Sequence, residues 1–370
     1  MHATLHQAVV DKVFPGAVLA VRHGGDQLWL AAVGNLSTDP HGSHVTSTTV
    51  YDLASLTKPL VVVTSLALLV QEGRCGLDDR IAAWLPELEA APVAHATLRQ
   101  LLTHCSGLPG WRGYYERMSA PATLPSSPQA RTQAGKQVLE LIQREMLIYG
   151  RGERSVYSDL GFILLGLVIE RLSGTPLDQF AYKHIIHPLK AEPLCYLPAD
   201  PAGESRKLSL RDRIAPTEWD AWRGRLLWGE VHDENAAALG NVAGHAGLFG
   251  TAESVLAVTG AWLKSFHRRP SILNPDVARD FSRRQETVPE SSWALGWDTP
   301  SSASSAGKFF SSRSFGHLGY TGTSIWVDPT AELEVVLLSN RVHPTRKNEA
   351  IRTFRPIIHD LVYRTCVGVR

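Results

Sequence analysis

The chain opens with two apolar, β-prone runs, Gly16–His23 (GAVLAVRH) and Gln27–Val33 (QLWLAAV). Gly24, Gly25 and Asp26 separate them, so the pair predicts a hairpin. A second hairpin is predicted near the far end, where Ser324–Val327 and Glu332–Leu338 flank Asp328 and Pro329. Beyond it, Asn348–Val367 has a helical pattern. The middle reads as helix-rich, with helix-like segments at Ser55–Glu72, Leu98–Thr103, Gln137–Met146 and Leu160–Leu172. Ser119–Gln133 (SAPATLPSSPQARTQ) reads as a surface loop, and the Ser-rich Pro300–Ser314 as irregular. Strands at both ends around a helical middle predict a discontinuous α/β domain with an insertion.

Composition narrows the partners. At 44% hydrophobic and 20% charged, the 370 residues match an ordinary globular protein. Lys and Arg (37) balance Asp and Glu (36), so no concentrated basic surface points to nucleic acid. The apolar run Leu60–Val70 covers about half of the ~20 residues a spanning helix needs, and no membrane insertion is expected. The N-terminus lacks a basic segment followed by a clean apolar stretch and a small-residue cleavage site, so the expected location is cytoplasmic. Cys75, Cys105, Cys195 and Cys366 form no CxxC and read as reduced thiols rather than disulfides or zinc ligands.

The first chemical motif is Ser55-Leu56-Thr57-Lys58, followed by Pro59. On a helix, a spacing of three brings the Lys58 amine near the Ser55 hydroxyl. Proline is tolerated only in a first turn, which places the helix start near Ser55, where backbone N–H groups lack intrahelical partners. Nucleophile, proton acceptor and half of an oxyanion hole then coincide. Taken alone, the same tetrapeptide also reads as a helix cap beside a solvated lysine. Tyr157-Ser158-Asp159 precedes the apolar run Leu160–Val168, so Ser158 or Asp159 caps a helix and leaves Tyr157 at its entry. An ammonium about 4 Å away is worth roughly 4 kcal/mol at an effective dielectric near 20, enough to lower a phenol's pKa and make Tyr157 a base for Ser55. The alternative is a packed aromatic beside a cap. A third segment, Phe315-Gly316-His317-Leu318-Gly319-Tyr320-Thr321-Gly322-Thr323-Ser324, is a glycine-rich turn before a strand, able to bring backbone close to a ligand.

In this order the motifs resemble those of the serine β-lactamase and penicillin-binding protein superfamily, S-x-x-K, then Y-x-N, then K-T-G or H-x-G. Leu101–Pro109 (LLTHCSGLP) and the stretch from Tyr157 to His187-Pro188-Leu189 look familial too, so the resemblance spans nearly the whole chain. It implies a β-lactamase/transpeptidase-like fold, α/β plus all-α, with a central antiparallel sheet flanked by helices. Residues 1–60 and 236–370 would form the sandwich and 61–235 a helical domain, with the site between. It also implies that Ser55 is acylated, that Lys58 and Tyr157 share the base work, and that the Ser55 and Tyr320 N–H groups form the oxyanion hole. Asp159 departs from the usual Asn, losing an amide donor; its carboxylate would instead hold Lys58 or repel an anion. His317 departs from the lysine of K-T-G, and a neutral imidazole binds a substrate carboxylate less well.

Gly229–Ala236 and Gly240–Gly250 (GNVAGHAGLFG) resemble the matching segments of the β-lactamase-fold N-acetylmuramoyl-L-alanine amidases. The expected reaction is therefore hydrolysis of a small-molecule amide or ester through an acyl-enzyme, with a cell-wall-derived muropeptide amide as one candidate. Family VIII-type carboxylesterases are the alternative, and a catalytically silent binding module the alternative of another class. Asp159, His317, Gly319, His232 and His245 are the expected substrate contacts. For His232, Asp233 and His245, a structural role as hydrogen-bonded loop residues is the other reading. No metal or organic cofactor is expected. There is no GxSxG elbow and no P-loop. The ten tryptophans read as core or cleft-rim residues, and the basic stretch Arg341–Arg355 as a solvated helix face and its approach.

Overall fold

The computed structural model describes residues 1–25, 27–118 and 120–368. Its main sheet has five antiparallel strands: β1 (Gly16–His23), β2 (Gln27–Gly34), β3 (Phe315–Leu318), β4 (Ser324–Asp328) and β5 (Leu333–Ser339). Their order is β2-β1-β5-β4-β3, so the two ends of the chain meet at the centre of the sheet. The junction runs in register from Ala17 opposite Ser339 to His23 opposite Leu333. Asp26 of the expected first turn, and Ser119 at the start of the expected loop, lie outside the described residues.

The strands are apolar on both faces because both faces are covered. Ala17, Leu19, Val21, Trp326, Val335 and Leu337 pack against Leu5 and Ala8 of the His2–Val10 helix and Phe354, Ile358 and Val362 of the Ile351–Val367 helix. The opposite face packs Val18, Ala20, Ile325, Val327, Val336 and Leu338 on the Ala252–Phe266 helix. Burying each of the Val, Leu, Ile and Phe side chains among them stabilises by ~1.5–3 kcal/mol. The same hydrophobic cluster continues through Leu60–Val63 into Leu98–Leu102, Pro128–Gln143 and Asp159–Ser173, the helices beside the sheet.

Three local details correct the sequence reading. The expected loop ends at Ser127, whose hydroxyl accepts the Ala130 N–H and caps a helix with Pro128 in its first turn. The proline that reads as a loop residue is thus a helix starter. The Ser55–Glu72 segment begins as a 3₁₀ turn at Ala54–Leu56 and widens into a π turn at Lys58–Val63 before Thr64–Gln71 becomes α-helical. Pro59 lacks the N–H that would bond the Ser55 carbonyl, and its ring would press on that carbonyl, so the helix opens there. Finally, the 18 residues Ala54–Gln71 are long and apolar enough to cross a membrane, but 83% of that stretch is buried inside the protein as the core helix.

Candidate active site

The segment before Ser55 is held tightly. Buried Asp52 accepts the Ala54 N–H at 2.8 Å and the His232 N–H at 2.7 Å. Ala54 then takes a left-handed conformation, φ 47°, strained for a residue with a Cβ. Thr57 Oγ1 donates to the Ala54 carbonyl at 2.7 Å and accepts the Leu248 N–H. These bonds hold the bend that projects Ser55 into a cleft of about 690 Å³.

Lys58 lies one turn on and is fully buried. Its Nζ donates to Ser55 Oγ at 2.9 Å, Asp159 Oδ1 at 2.6 Å and the His245 carbonyl at 3.0 Å. An ammonium has three donors, and all three are used. Burial works against its charge, but Asp159, then Tyr157, outweigh burial and hold the Lys58 pKa above the usual lysine value.

Tyr157 stands on the cleft wall, 37% exposed, among the rings of His104, Trp293 and His317. Lys58 Nζ is 4.9 Å from its ring centre, and Lys58 and Ser55 both favour ionisation of its hydroxyl. Ser158 fixes this position: its Oγ accepts the Gly161 N–H and donates to the Pro109 carbonyl, and its N–H donates to His104 Nδ1. Ser158, then, is the cap, and Asp159 is free to reach Lys58. One expectation is corrected. Although part of the side chain is open to the cleft, the packing around it raises the Tyr157 pKa more than Lys58 lowers it, and Asp159 adds to the rise. At rest the residue is a phenol, because the lysine charge that would stabilise a phenolate is already shared with Asp159.

The β3–β4 turn brings Tyr320 to the same cleft. Thr321 Oγ1 donates to the Asp52 carbonyl at 2.7 Å, and Thr323 Oγ1 to the Leu53 carbonyl at 3.2 Å. A Cβ on Gly319 would land on Thr323 Oγ1 and lie 2.6 Å from the Leu53 carbonyl, so glycine is required for this close approach. His317 donates from Nδ1 to the Leu318 carbonyl at 2.8 Å. Burial, then Lys58, pushes its pKa down to about 3, so the ring is neutral and its Nε2 has no partner.

Ser55, Tyr157, Asp159, His232, His245, His317, Gly319 and Tyr320 therefore share one cleft, with Lys58 beneath it. The histidines of the Gly229–Gly250 segment are already engaged. His232 pairs with Glu218 at 2.8 Å and stacks on Tyr320; His245 Nε2 pairs with Asp233 Oδ1 at 2.8 Å. Burial opposes the Glu218 charge, but His232 and Arg346 bring its pKa down to about 2. Among the described residues, no three His, Cys, Asp or Glu side chains are grouped to hold a metal ion. The sequence reading missed Trp111, Asp298, Arg341, Arg346, Arg352 and Arg355, all of which line the cleft. Arg341 and Arg355 are 5% and 6% exposed, which corrects the solvated reading at those two positions, while Lys347 and Arg352 between them are exposed as expected. The basic composition of that stretch gave no sign that Arg341 and Arg355 would bond the carbonyls of the β3–β4 turn.

Residues 1–357 match the family described as Beta-lactamase. The chain belongs to this family. An N-acetylmuramyl-L-alanine amidase of Bacillus subtilis (strain 168) is 31% identical over 353 residues, covering 89% of this chain and 78% of the relative. A putative D-alanyl-D-alanine carboxypeptidase of Escherichia coli (strain K12) is 30% identical over 314 residues, covering 80% and 70%. Among solved structures, EstCE1, a hydrolase with promiscuous acyltransferase activity, superposes with a TM-score of 0.70 at 20% identity, covering 96% of this chain and 97% of that one. The β-lactamase/transpeptidase-like fold follows, and the protein is a hydrolase of the serine β-lactamase superfamily.

Proposed function

We propose that the protein hydrolyses an amide through an acyl-enzyme on Ser55, with a cell-wall-derived muropeptide amide as the substrate class. The observation that carries the chemistry is the contact of Ser55 Oγ with Lys58 Nζ at 2.9 Å, in a cleft shared with Tyr157 and Tyr320. Ser55 attacks the carbonyl, and the developing oxyanion meets the N–H groups of Ser55 and Tyr320. In its neutral form Lys58 takes the serine proton, and the Tyr157 hydroxyl relays it, giving its own proton to the leaving amine as it accepts one from Lys58. Because the resting lysine is an ammonium with every donor engaged, its base form arises only as it gives up a proton, and Asp159 is the carboxylate placed beside it. Water then releases the acyl group. The amidase reading is supported by the 31% identical relative and by the resemblance of Gly229–Gly250 to that branch. The neutral His317, standing where the K-T-G form of the motif has lysine, weighs against β-lactam recognition.

Ser55→Ala is expected to abolish covalent labelling by an active-site-directed phosphonate; persistent labelling at unchanged stoichiometry refutes the nucleophile. Muramoyl-peptides, short-chain p-nitrophenyl esters, D-amino-acid amides and nitrocefin, compared by kcat/KM, test the substrate class. A larger value for an ester than for any amide overturns the amidase reading in favour of an esterase. Stoichiometric acylation without turnover would make the protein a binding module.

A further inference from the structure

We propose that His104 is a positioning residue for the reaction: it clamps the chain on both sides of Tyr157 and so holds the phenol beside Lys58. The proposal rests on the Ser55 acyl-enzyme reading and names what keeps its proton relay in place.

The clamp is built from a carbonyl and an imidazole. The His104 carbonyl accepts the Val156 N–H at 2.9 Å, and its Nδ1 accepts the Ser158 N–H at 3.0 Å. The residues before and after Tyr157 therefore hang from the same anchor. The Tyr149 hydroxyl donates to the His104 carbonyl at 3.0 Å and braces it. Further along the same segment, the Pro109 and Gly110 carbonyls accept the Ser158 hydroxyl and the Asp159 N–H. The imidazole also packs on the tyrosine it positions. Their ring centres are 4.6 Å apart, and Trp293 and Phe162 lie 4.4 and 5.2 Å from the same imidazole.

Packing alone does not account for a histidine at this position. His104 is 1% exposed, and its Nε2 is buried with no partner. Because Nδ1 accepts a hydrogen bond, the ring proton sits on Nε2, and a buried N–H without an acceptor is costly. An apolar side chain would avoid that cost but would leave the Ser158 N–H unpaired. The backbone is strained as well, with φ 55°, a conformation that histidine and asparagine adopt more readily than apolar residues. Burial, then Lys58 and His317, hold the His104 pKa well below the usual histidine range, so the ring stays neutral and Nδ1 keeps its lone pair for Ser158. His104 lies outside the residues that line the cleft, so it acts on the reaction through Tyr157 and not on the substrate. A displacement of about 1 Å at a reacting group costs up to ~10²-fold in rate, so an anchor this close to the relay bears on kcat.

A double-mutant cycle tests this, with phenyl acetate as the probe. His104→Leu fills the site but removes the acceptor, and is expected to lower kcat by about 10–100-fold with KM within about twofold. His104→Asn keeps an oxygen near the Nδ1 position and tolerates the left-handed backbone, and is expected to recover most of that loss. In a Tyr157→Phe background, His104→Leu is expected to lower kcat by less than about twofold, because the group it positions is already gone. A loss carried over in full to that background overturns the proposal. So does unchanged kcat in folded His104→Leu, or a His104→Asn no better than His104→Leu. Thermal melts check folding. Where His104→Leu does not fold, His104→Gln, whose amide oxygen reaches toward Nε2 rather than Nδ1, takes its place in the cycle. Normal kcat in Tyr157→Phe removes the relay and the clamp together. Lowered kcat in Tyr157→Phe with an additive His104 loss removes the clamp alone, and absent phosphonate labelling of the unaltered protein removes the acyl-enzyme.

Discussion

Replacing Asp159 by Asn keeps the shape and one acceptor but removes the negative charge 2.6 Å from a fully buried ammonium. Leaving one member of a buried pair uncompensated costs about 3–5 kcal/mol. A chain of 370 residues has an unfolding entropy of ~0.8 kcal/mol/K, so the Tm is expected to drop by roughly 4–6 °C near pH 6. The pH dependence has a definite sign. In the unaltered protein the Lys58 pKa is raised, so its contribution is complete below the unfolded lysine pKa of about 10.4 and is lost only as pH rises through the higher folded value. In Asp159→Asn, burial dominates and the folded lysine releases its proton earlier. The variant is therefore penalised most at low pH, and the Tm gap narrows as pH rises. Thermal melts followed by circular dichroism from pH 6 to 9.5 measure the gap; one that is constant or widens with pH refutes the reasoning. In activity, the acid limb of the kcat/KM profile is expected to move to lower pH, because neutral lysine becomes easier to form. A limb that stays in place or moves up would show that Lys58 ionisation does not limit the reaction.

Tyr157→Phe removes the phenol beside Lys58 and is expected to lower kcat by about 10²–10⁴ with little change in melting temperature, as measured by steady-state kinetics and thermal melts. His317, with a folded pKa of about 3 against ~6.5 unfolded, contributes stability that is complete above pH 6.5 and is lost as pH falls toward 3, worth ~5 kcal/mol by then. His317→Gln should flatten the decline of the urea midpoint over that window, and should leave the shape of the pH–rate profile between pH 5 and 8 unchanged. Gly319→Ala forces the β3–β4 turn off the Leu53 carbonyl, and a misplaced Tyr320 N–H is expected to cost about 10²–10³ in kcat; normal turnover would remove Tyr320 from the oxyanion hole.

The strands and the long core helix were legible because period and composition reflect burial that every residue of an element shares. Gly16–His23 was placed to the residue, and the second hairpin to within one. The Pro128 helix start was not, since proline and serine mark loops and helix N-termini alike, and only the Ser127 hydroxyl bond to Ala130 distinguishes them. Within the site, Ser55 and Lys58 sit three apart on one helix, so their contact is local and could be read from spacing.

Spacing and residue type by themselves determined the candidate reactive groups and the elements that carry them, because helical geometry fixes short-range neighbours. Tertiary structure alone decided their charge states. Lys58 is an ammonium because Asp159, 101 residues away, lies against it in a dry site, and Tyr157 keeps its proton because burial there exceeds the pull of a lysine already paired. Arg341 and Arg355 likewise become cleft residues only when the β3–β4 turn folds over them. Ionisation depends on solvent exclusion and on charges brought in from distant parts of the chain, and neither is encoded in any local pattern.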